Sequence, residues 1–137
     1  GTYSDLYFDT GYELAGKVKF TQNDIREIQM AKAAIRAGVD ILVKKAGIAF
    51  DEVDNCYLAG GFGTKIDITK AAGIGLIPKE LEMKTIPVGN TVLAGTKEVL
   101  LGRISKDELE KIQTMADVIN LAEENDFEEL YLSYMDF

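Results

Sequence analysis

Two glycine turns are the residues of this sequence with the clearest potential for chemistry. The first, Gly60-Gly61-Phe62-Gly63, follows the apolar run Cys56-Tyr57-Leu58-Ala59, and the second, Gly89-Asn90, follows a predicted strand at residues 84–88. Glycine lacks a Cβ atom and reaches positive φ, so such turns let a ligand approach the main chain. At the carboxyl ends of strands in an α/β protein, they indicate a small-molecule site. An ordinary tight turn, or a βα turn with Asn90 as a helix cap, explains the same residues.

The two commonest glycine-rich phosphate motifs are excluded. A Walker A loop needs a Gly-Lys-Ser or Gly-Lys-Thr triplet, whereas Gly63 is followed by Thr64-Lys65. A dinucleotide fingerprint, G-x-G-x-x-G, needs a third glycine where Ile66 stands. The ligand class therefore has to be inferred from other residues.

Three polar side chains on a predicted long helix are further candidates. At about 100° per residue, Gln29, Lys32 and Arg36 fall within about 60° of one another, beside an apolar stripe. Lysine and arginine commonly bind oxygen-rich ligands, so these side chains could hold a nucleotide. Alternatively, the two cations extend past the apolar stripe to water and bind nothing.

Composition excludes several classes of function. The net charge of −8 argues against a nucleic-acid partner, and the absence of histidine removes the commonest metal ligand and general base. The single cysteine, Cys56, permits neither a disulfide framework nor an iron–sulfur cluster, and it favours a reducing, cytoplasmic location. No apolar run is long enough for a membrane span. A first residue of glycine rather than methionine predicts that the chain is a piece of a longer protein.

The pattern of elements predicts an α/β subdomain over residues 17–137, preceded by an irregular arm over residues 1–16. The box Thr21-x-x-Asp24 begins a long helix that Gly47 ends, and its two apolar sides predict burial between layers. The other predicted strands are 17–20, 56–59, 84–88 and 118–121, and the other predicted helices are 67–76, 90–101, 105–115 and one from 125 or 126. This alternation favours a partly parallel sheet.

Three ordered segments resemble one known family. They are residues 21–35 (TQNDIREIQMAKAAI), residues 57–63 (YLAGGFG) and residues 88–95 (VGNTVLAG). Together they resemble the carboxy-terminal ATPase region of the reductive activators of corrinoid-dependent proteins. These activators are iron–sulfur proteins of the superfamily of acetate and sugar kinases, heat-shock chaperones and actin. The resemblance implies a partial ribonuclease-H-like (actin-like ATPase) subdomain with helices packed on a mixed sheet.

The resemblance also implies a site. The first glycine turn matches the superfamily's adenosine motif, whose glycines pass against the adenosine of bound ATP. The helix 21–46 corresponds to one that presents polar and cationic side chains to adenine and ribose in the chaperones. The implied ligands are ATP or ADP with Mg²⁺, bound only in part by this chain. The implied nucleotide-binding residues are Gly60, Gly61, Phe62, Gly63, Gln29, Lys32, Arg36, Gly89 and Asn90.

In this family, ATP is understood to drive electron transfer from an iron–sulfur cluster to a Co(II) corrinoid protein, which returns to Co(I). One cysteine cannot bind such a cluster, so the resemblance assigns the cluster to a missing part of the protein. The superfamily's Mg²⁺-linked aspartates are also not found here. We therefore expect a nucleotide-binding subdomain that does not hydrolyse ATP alone.

A non-catalytic docking module is the alternative. The acidic surface and an aromatic set would then bind a partner protein, and the glycine turns would be structural. That aromatic set comprises Phe127, Tyr131, Tyr134 and Phe137. Because an isolated half-lobe exposes sheet edges, a homodimer is also predicted.

Overall fold

The structure, a computed structural model, describes residues 11–137. The predicted arm therefore lies mostly outside the described residues. Within them, no helix combines the length and the apolar character that crossing a membrane requires. The strands and α-helices in chain order are β1 (Tyr12–Ala15), β2 (Val18–Phe20), α1 (Gln22–Ala46), β3 (Cys56–Ala59), α2 (Ile68–Gly73), β4 (Thr85–Gly89), α3 (Thr91–Leu100), α4 (Lys106–Met115) and α5 (Phe127–Ser133).

The first described residues form a hairpin. Strand β1 pairs antiparallel with β2 across a turn in which Gly16 has a φ of 57°. The prediction of a short strand near residues 17–20 is confirmed. The prediction of irregular structure is wrong for Tyr12–Ala15, because a glycine with positive φ permits the tight turn that pairs this segment with β2.

Helix α1 begins and ends as its sequence predicts. The Thr21 hydroxyl accepts a hydrogen bond from the Asp24 N–H at 3.3 Å, and the Asp24 carboxylate accepts one from the Thr21 N–H at 2.7 Å. This capping box satisfies two N–H groups that the helix start would leave without partners. At the other end, Gly47 has a φ of 68°, the left-handed conformation that commonly ends a helix.

The buried side of α1 differs from the predicted one. The large apolar residues Ile28, Ile35 and Leu42 are exposed, whereas the buried residues are mostly small. Helix α5 packs against α1, and small side chains on α1 allow two helix backbones to approach closely. The prediction of burial on both apolar sides is therefore wrong for the described part of the chain. The buried residues of α1 are Lys32, Ala33, Ala37, Gly38 and Ile41.

Strands β3 and β4 form a parallel pair, which confirms the α/β class with parallel pairing. In the described residues, this pair and the β1–β2 hairpin are separate two-stranded sheets. Helix α2 lies between the two parallel strands in the sequence, and residues after β3 contribute most of the buried core. The buried core residues are Ala71, Ala72, Ile77 and Leu81, with Val39, Phe50, Val53, Cys56, Ile66, Ile68 and Leu76 packed against them.

The predicted strand at residues 118–121 is wrong. Residues 116–120 have no regular structure, and Leu121 begins a short 3₁₀ turn capped by the Asn120 side chain. The Leu121 methyl group lies 3.2 Å from where a Cβ atom on Gly38 would stand. Leu121 thus packs against α1, so its apolar character serves a helix contact and not a sheet.

Candidate functional site

The two predicted glycine turns meet at one edge of the parallel pair. The Gly60 N–H donates a hydrogen bond of 2.7 Å to the carbonyl oxygen of Gly89, and Ala59 lies opposite Gly89 in the strand register. Gly60 and Gly89 have φ values of 92° and 68°, which favour glycine. Two stretches of the chain that are distant in sequence thus form one continuous main-chain surface.

Gly61 and Gly63 are glycines for different reasons. A Cβ atom on Gly63 would stand 2.2 Å from the carbonyl oxygen of Leu58, which no side chain tolerates. Gly63 is buried and shapes the turn. A Cβ atom on Gly61 would meet nothing within 4 Å, and Gly61 is not among the residues with positive φ. Within the described structure, neither packing nor conformation requires glycine at position 61, and its surface is open.

Thr64 links the two turns, although no functional role was predicted for it. Its hydroxyl donates a hydrogen bond of 3.0 Å to the carbonyl oxygen of Gly61. Its methyl group lies 3.5 Å from where a Cβ atom on Gly89 would stand. The hydroxyl directly after Gly63 is the signal that could have identified it, because threonine side chains commonly stabilise turns.

Two other predicted residues belong to the same edge. Phe62 begins the 3₁₀ turn Phe62–Thr64 that continues from the first glycine turn. Asn90 is exposed and caps α3, since its side-chain oxygen accepts a hydrogen bond of 3.0 Å from the Leu93 N–H. The capping role is the one that the sequence predicts, and it fixes the second turn at the start of a helix.

Lys32 is buried under the end of the described chain. Its side chain is 3% exposed, and its ammonium group donates a hydrogen bond to the backbone carbonyl of Asp136. The ammonium nitrogen also lies 4.8 Å from the centre of the Phe137 ring, in a cation–π contact. Burial lowers the pKa of Lys32, and the nearby Asp136 partly opposes that effect.

Arg36 contacts three other side chains, those of Asp40, Tyr134 and Phe50. Its Nε atom donates a hydrogen bond of 3.2 Å to Asp40, and its guanidinium lies 5.0 Å and 5.5 Å from the ring centres of Tyr134 and Phe50. The Tyr134 hydroxyl donates a hydrogen bond to the other carboxylate oxygen of Asp40. Burial, followed by this bond, raises the pKa of Tyr134.

Asp40 and Tyr134 were not predicted to act together. The spacing of four residues between Arg36 and Asp40 is a sequence signal for an ion pair on a helix. The contact with Tyr134 has no such signal, because the two residues are 94 positions apart. Gln29, the third polar residue predicted on this edge, is half-buried on α1.

The described residues contain no group of three or more histidine, cysteine, aspartate or glutamate side chains placed to hold a metal ion. Cys56 is a free thiol that is half-buried against the core.

The glycine turns define the candidate site. It is the open main-chain surface of Gly60 and Gly61, next to Gly89, Asn90 and Thr64.

Comparison with known proteins identifies relatives over most of the chain. A protein-family model, the C-terminal domain of RACo (the ASKHA domain), matches residues 4–137. The chain is 34% identical over 112 residues to the corrinoid activation enzyme RamQ of Eubacterium limosum, which covers 82% of the chain and 19% of RamQ. It is 28% identical over 122 residues to the [Co(II) methylated amine-specific corrinoid protein] reductase of Methanosarcina barkeri, which covers 88% of the chain and 22% of that protein.

A solved structure agrees with these relatives. The reductive activator for corrinoid,iron-sulfur protein matches 85% of the chain and 18% of its own length, with a TM-score of 0.70 and 30% identity. The chain thus spans about a fifth of the length of the relatives that it matches. Because the family model covers nearly all of the sequence and the fold agrees, the chain belongs to the C-terminal ASKHA domain family of the reductive activators of corrinoid proteins, with their actin-like ATPase fold.

Proposed function

We propose that this chain forms the adenosine side of the nucleotide site in an ATP-dependent reductive activator of corrinoid proteins. The ligand is ATP or ADP with Mg²⁺, bound only in part by these residues. The partner is a corrinoid protein that is returned from Co(II) to Co(I). The observation that carries the proposal is the meeting of two glycine turns at the carboxyl ends of β3 and β4.

The shape of the glycine surface fits an adenosine group. Gly60 and Gly61 each leave the space beyond their α-carbon empty to at least 4 Å, so a flat ring or a ribose can lie against the main chain. The freedom of Gly61 from internal constraint supports a ligand as the reason for glycine there. Gly63 and Thr64 hold the turn, and Gly89 and Asn90 supply the neighbouring wall.

When bound, ATP supplies the free energy of hydrolysis for the uphill electron transfer to Co(II). The residues of this chain bind and orient the adenosine, and we do not expect this chain to hydrolyse ATP alone. An iron–sulfur cluster needs more cysteines than Cys56, so we assign it to a part of the polypeptide outside this chain. Gln29, Lys32 and Arg36 stay predicted ligands of the adenine and ribose.

The test is nucleotide binding by the intact polypeptide that carries this domain. Calorimetric titration with ATP and with ADP should show that Gly61→Val weakens binding at least tenfold, or about 1.4 kcal/mol, because valine occupies the space of the adenosine. Thermal unfolding should show little change, because a Cβ atom at position 61 meets nothing within 4 Å among the described residues other than its sequence neighbours.

Gly73→Val is the matched control. Gly73 ends α2, is exposed, lacks positive φ, and likewise leaves the space of its Cβ atom empty. Gly73→Val should keep the affinity of the unaltered protein. Equal affinity of the folded Gly61→Val variant and the unaltered protein would refute the proposal.

The docking alternative is favoured by one observation, a groove of about 720 Å³ between the end of α1 and α5. Phe50 and Leu130 are among its apolar lining residues, and Asp126 and Glu129 are among its acidic ones. However, Tyr134 and Phe137, which the alternative assigns to a partner, contact Arg36 and Lys32 within the chain. An intact polypeptide that binds no nucleotide at millimolar concentration would favour docking over the nucleotide site.

A further inference from the structure

The residues 134–137, named here the covering segment, contact both cations that are predicted to bind the nucleotide. The Asp136 carbonyl accepts a hydrogen bond from Lys32, and the Phe137 ring lies over the same ammonium group. Tyr134 stacks on the guanidinium of Arg36. One short segment thus covers two positions that are one helical turn apart on α1.

The covering segment gives the Lys32 ammonium group one hydrogen-bond acceptor, the Asp136 carbonyl. An ammonium group has three donor hydrogens, and beside that carbonyl the segment offers it the Phe137 ring and the nearby negative charge of Asp136. The Cβ position of Gly75 lies 3.7 Å from the ammonium nitrogen, so the main chain of Gly75 also lies near Lys32. A ribose or a phosphate group carries several oxygen atoms and could accept more than one of these hydrogens.

The two ends of the covering segment differ in how firmly they are held to the rest of the chain. Tyr134 is anchored, because it bonds to Asp40 while Asp40 also bonds to Arg36. Phe137 is 64% exposed, and its ring contacts the Lys32 ammonium group. Displacing Asp136 and Phe137 therefore disturbs little of the core, while the anchor at Tyr134 keeps them close to Lys32.

We propose that the covering segment is a strap that competes with nucleotide for Lys32, so that nucleotide binding at α1 requires Asp136 and Phe137 to move away. The proposal rests on the proposed function for the identity of the ligand. It also assigns Phe137 a regulatory role. A stronger contact between Phe137 and Lys32 makes the closed state more populated, and the apparent affinity for nucleotide falls accordingly.

The first experiment needs no nucleotide. Amine-specific acetylation of the intact polypeptide, followed by mass spectrometry, measures how accessible each lysine is. Lys32 should react slowly beside the exposed Lys97. Phe137→Ala should raise the rate at Lys32 at least threefold and leave Lys97 unchanged. Leu132→Ala is the matched control, because Leu132 is 61% exposed on α5, and it should change neither rate.

The second experiment is calorimetric titration of the same variants with ATP. Phe137→Ala should bind ATP at least threefold more tightly, Leu132→Ala should bind it as the unaltered protein does, and bound ATP should slow the acetylation of Lys32 in Phe137→Ala. An unchanged rate at Lys32 in Phe137→Ala would refute the strap. Equal or weaker ATP affinity in that variant would refute the competition.

Failure of the strap and failure of the nucleotide site give different results. If the nucleotide site is wrong, Gly61→Val and the unaltered protein bind ATP alike, or neither binds it. If only the strap is wrong, Gly61→Val weakens ATP binding as expected, while Phe137→Ala changes neither the acetylation rate at Lys32 nor the affinity.

Discussion

The carbonyl oxygen of Leu58 and the α-carbon of Gly63 are in such close contact that a Cβ atom on Gly63 would lie 2.2 Å from the oxygen. After β3 the chain folds back, so that Gly63 lies against the carbonyl group of Leu58 in that strand. The N–H of Gly63 donates a hydrogen bond of 3.2 Å to the Gly60 carbonyl, which closes the turn. The open surface of Gly61 depends on this closure.

Gly63→Ala should therefore destabilise the chain by about 2 kcal/mol or more, because a methyl group forces the main chain of β3 or the turn to shift. Gly61→Ala, two residues away, should change the free energy of unfolding by less than about 0.5 kcal/mol. Chemical denaturation followed by circular dichroism measures both. Similar stability of the two variants would contradict the structural distinction between these glycines.

The glycines of α3 should respond to alanine in opposite directions. Gly95 lies inside the helix with open space at its Cβ position, so Gly95→Ala should raise the stability by up to about 1 kcal/mol. Gly102 follows the helix with a φ of 66°, so Gly102→Ala should lower it by about 1 kcal/mol. The thermal unfolding temperature of Gly95→Ala should lie above that of the unaltered chain, and that of Gly102→Ala should lie below it.

Tyr134→Phe tests the anchor between α5 and α1. The change removes the hydroxyl that bonds to Asp40, and we expect a loss of about 1–2 kcal/mol, because hydrogen bonds to charged groups are worth more than neutral ones. Hydrogen exchange should also accelerate in α5. Tyr131→Phe is the control: its ring stacks on Phe127 at 6.0 Å, and that contact does not need the hydroxyl. Equal exchange rates in the two variants would contradict the anchor.

Acid should weaken the chain through its capping carboxylates. The hydrogen bonds with Thr21 lower the pKa of Asp24, and those with Ser105 lower the pKa of Glu108. A carboxylate whose pKa is lower in the folded state adds stability above its ordinary pKa, which is 3.8 for Asp24 and 4.5 for Glu108. That stability is lost as the pH falls through the lowered pKa.

The double variant Asp24→Asn and Glu108→Gln should therefore lose less stability than the unaltered chain between about pH 5 and about pH 3. Thermal unfolding at several pH values measures this slope. Asp107→Asn, in the same first turn as Glu108, is the control and should keep the steep slope. A double variant as acid-sensitive as the unaltered chain would show that other groups determine the slope.

Local sequence signals predicted the elements that local interactions build. Thr21 with Asp24, Ser105 with Glu108, and Asn90 each form the predicted cap, because these bonds join residues three positions apart. The prediction of a strand at 118–121 was wrong because Leu121 packs on α1, a contact that no periodicity within the segment specifies, and Val118 is exposed. Burial was wrongly predicted for the exposed apolar residues of α1 for a similar reason. The pattern within a helix does not show which other elements pack against it.

In the candidate site, the meeting of the glycine turns was predictable from the sequence, and the covering of Lys32 was not. The glycine turns were recognised because each follows an apolar strand, and their contact follows from parallel pairing of β3 and β4. The covering of Lys32 by Phe137 could not be predicted, because the residues that meet there are separated by about a hundred positions. Helical spacing predicted that Lys32 and Arg36 share one side of α1, and both contact residues 134–137, but the spacing could not indicate that these residues lie there. The role of Gln29, Lys32 and Arg36 as nucleotide ligands stays a prediction.

The contact between α1 and the covering segment can form only late in the synthesis of this chain. Lys32 and Asp136 are separated by 104 positions, and Asp40 and Tyr134 by 94. Translation completes α1 long before it reaches residues 134–137, and closing so long a loop comes late in folding. The face of α1 that α5 covers therefore stays exposed on the ribosome until α5 has emerged.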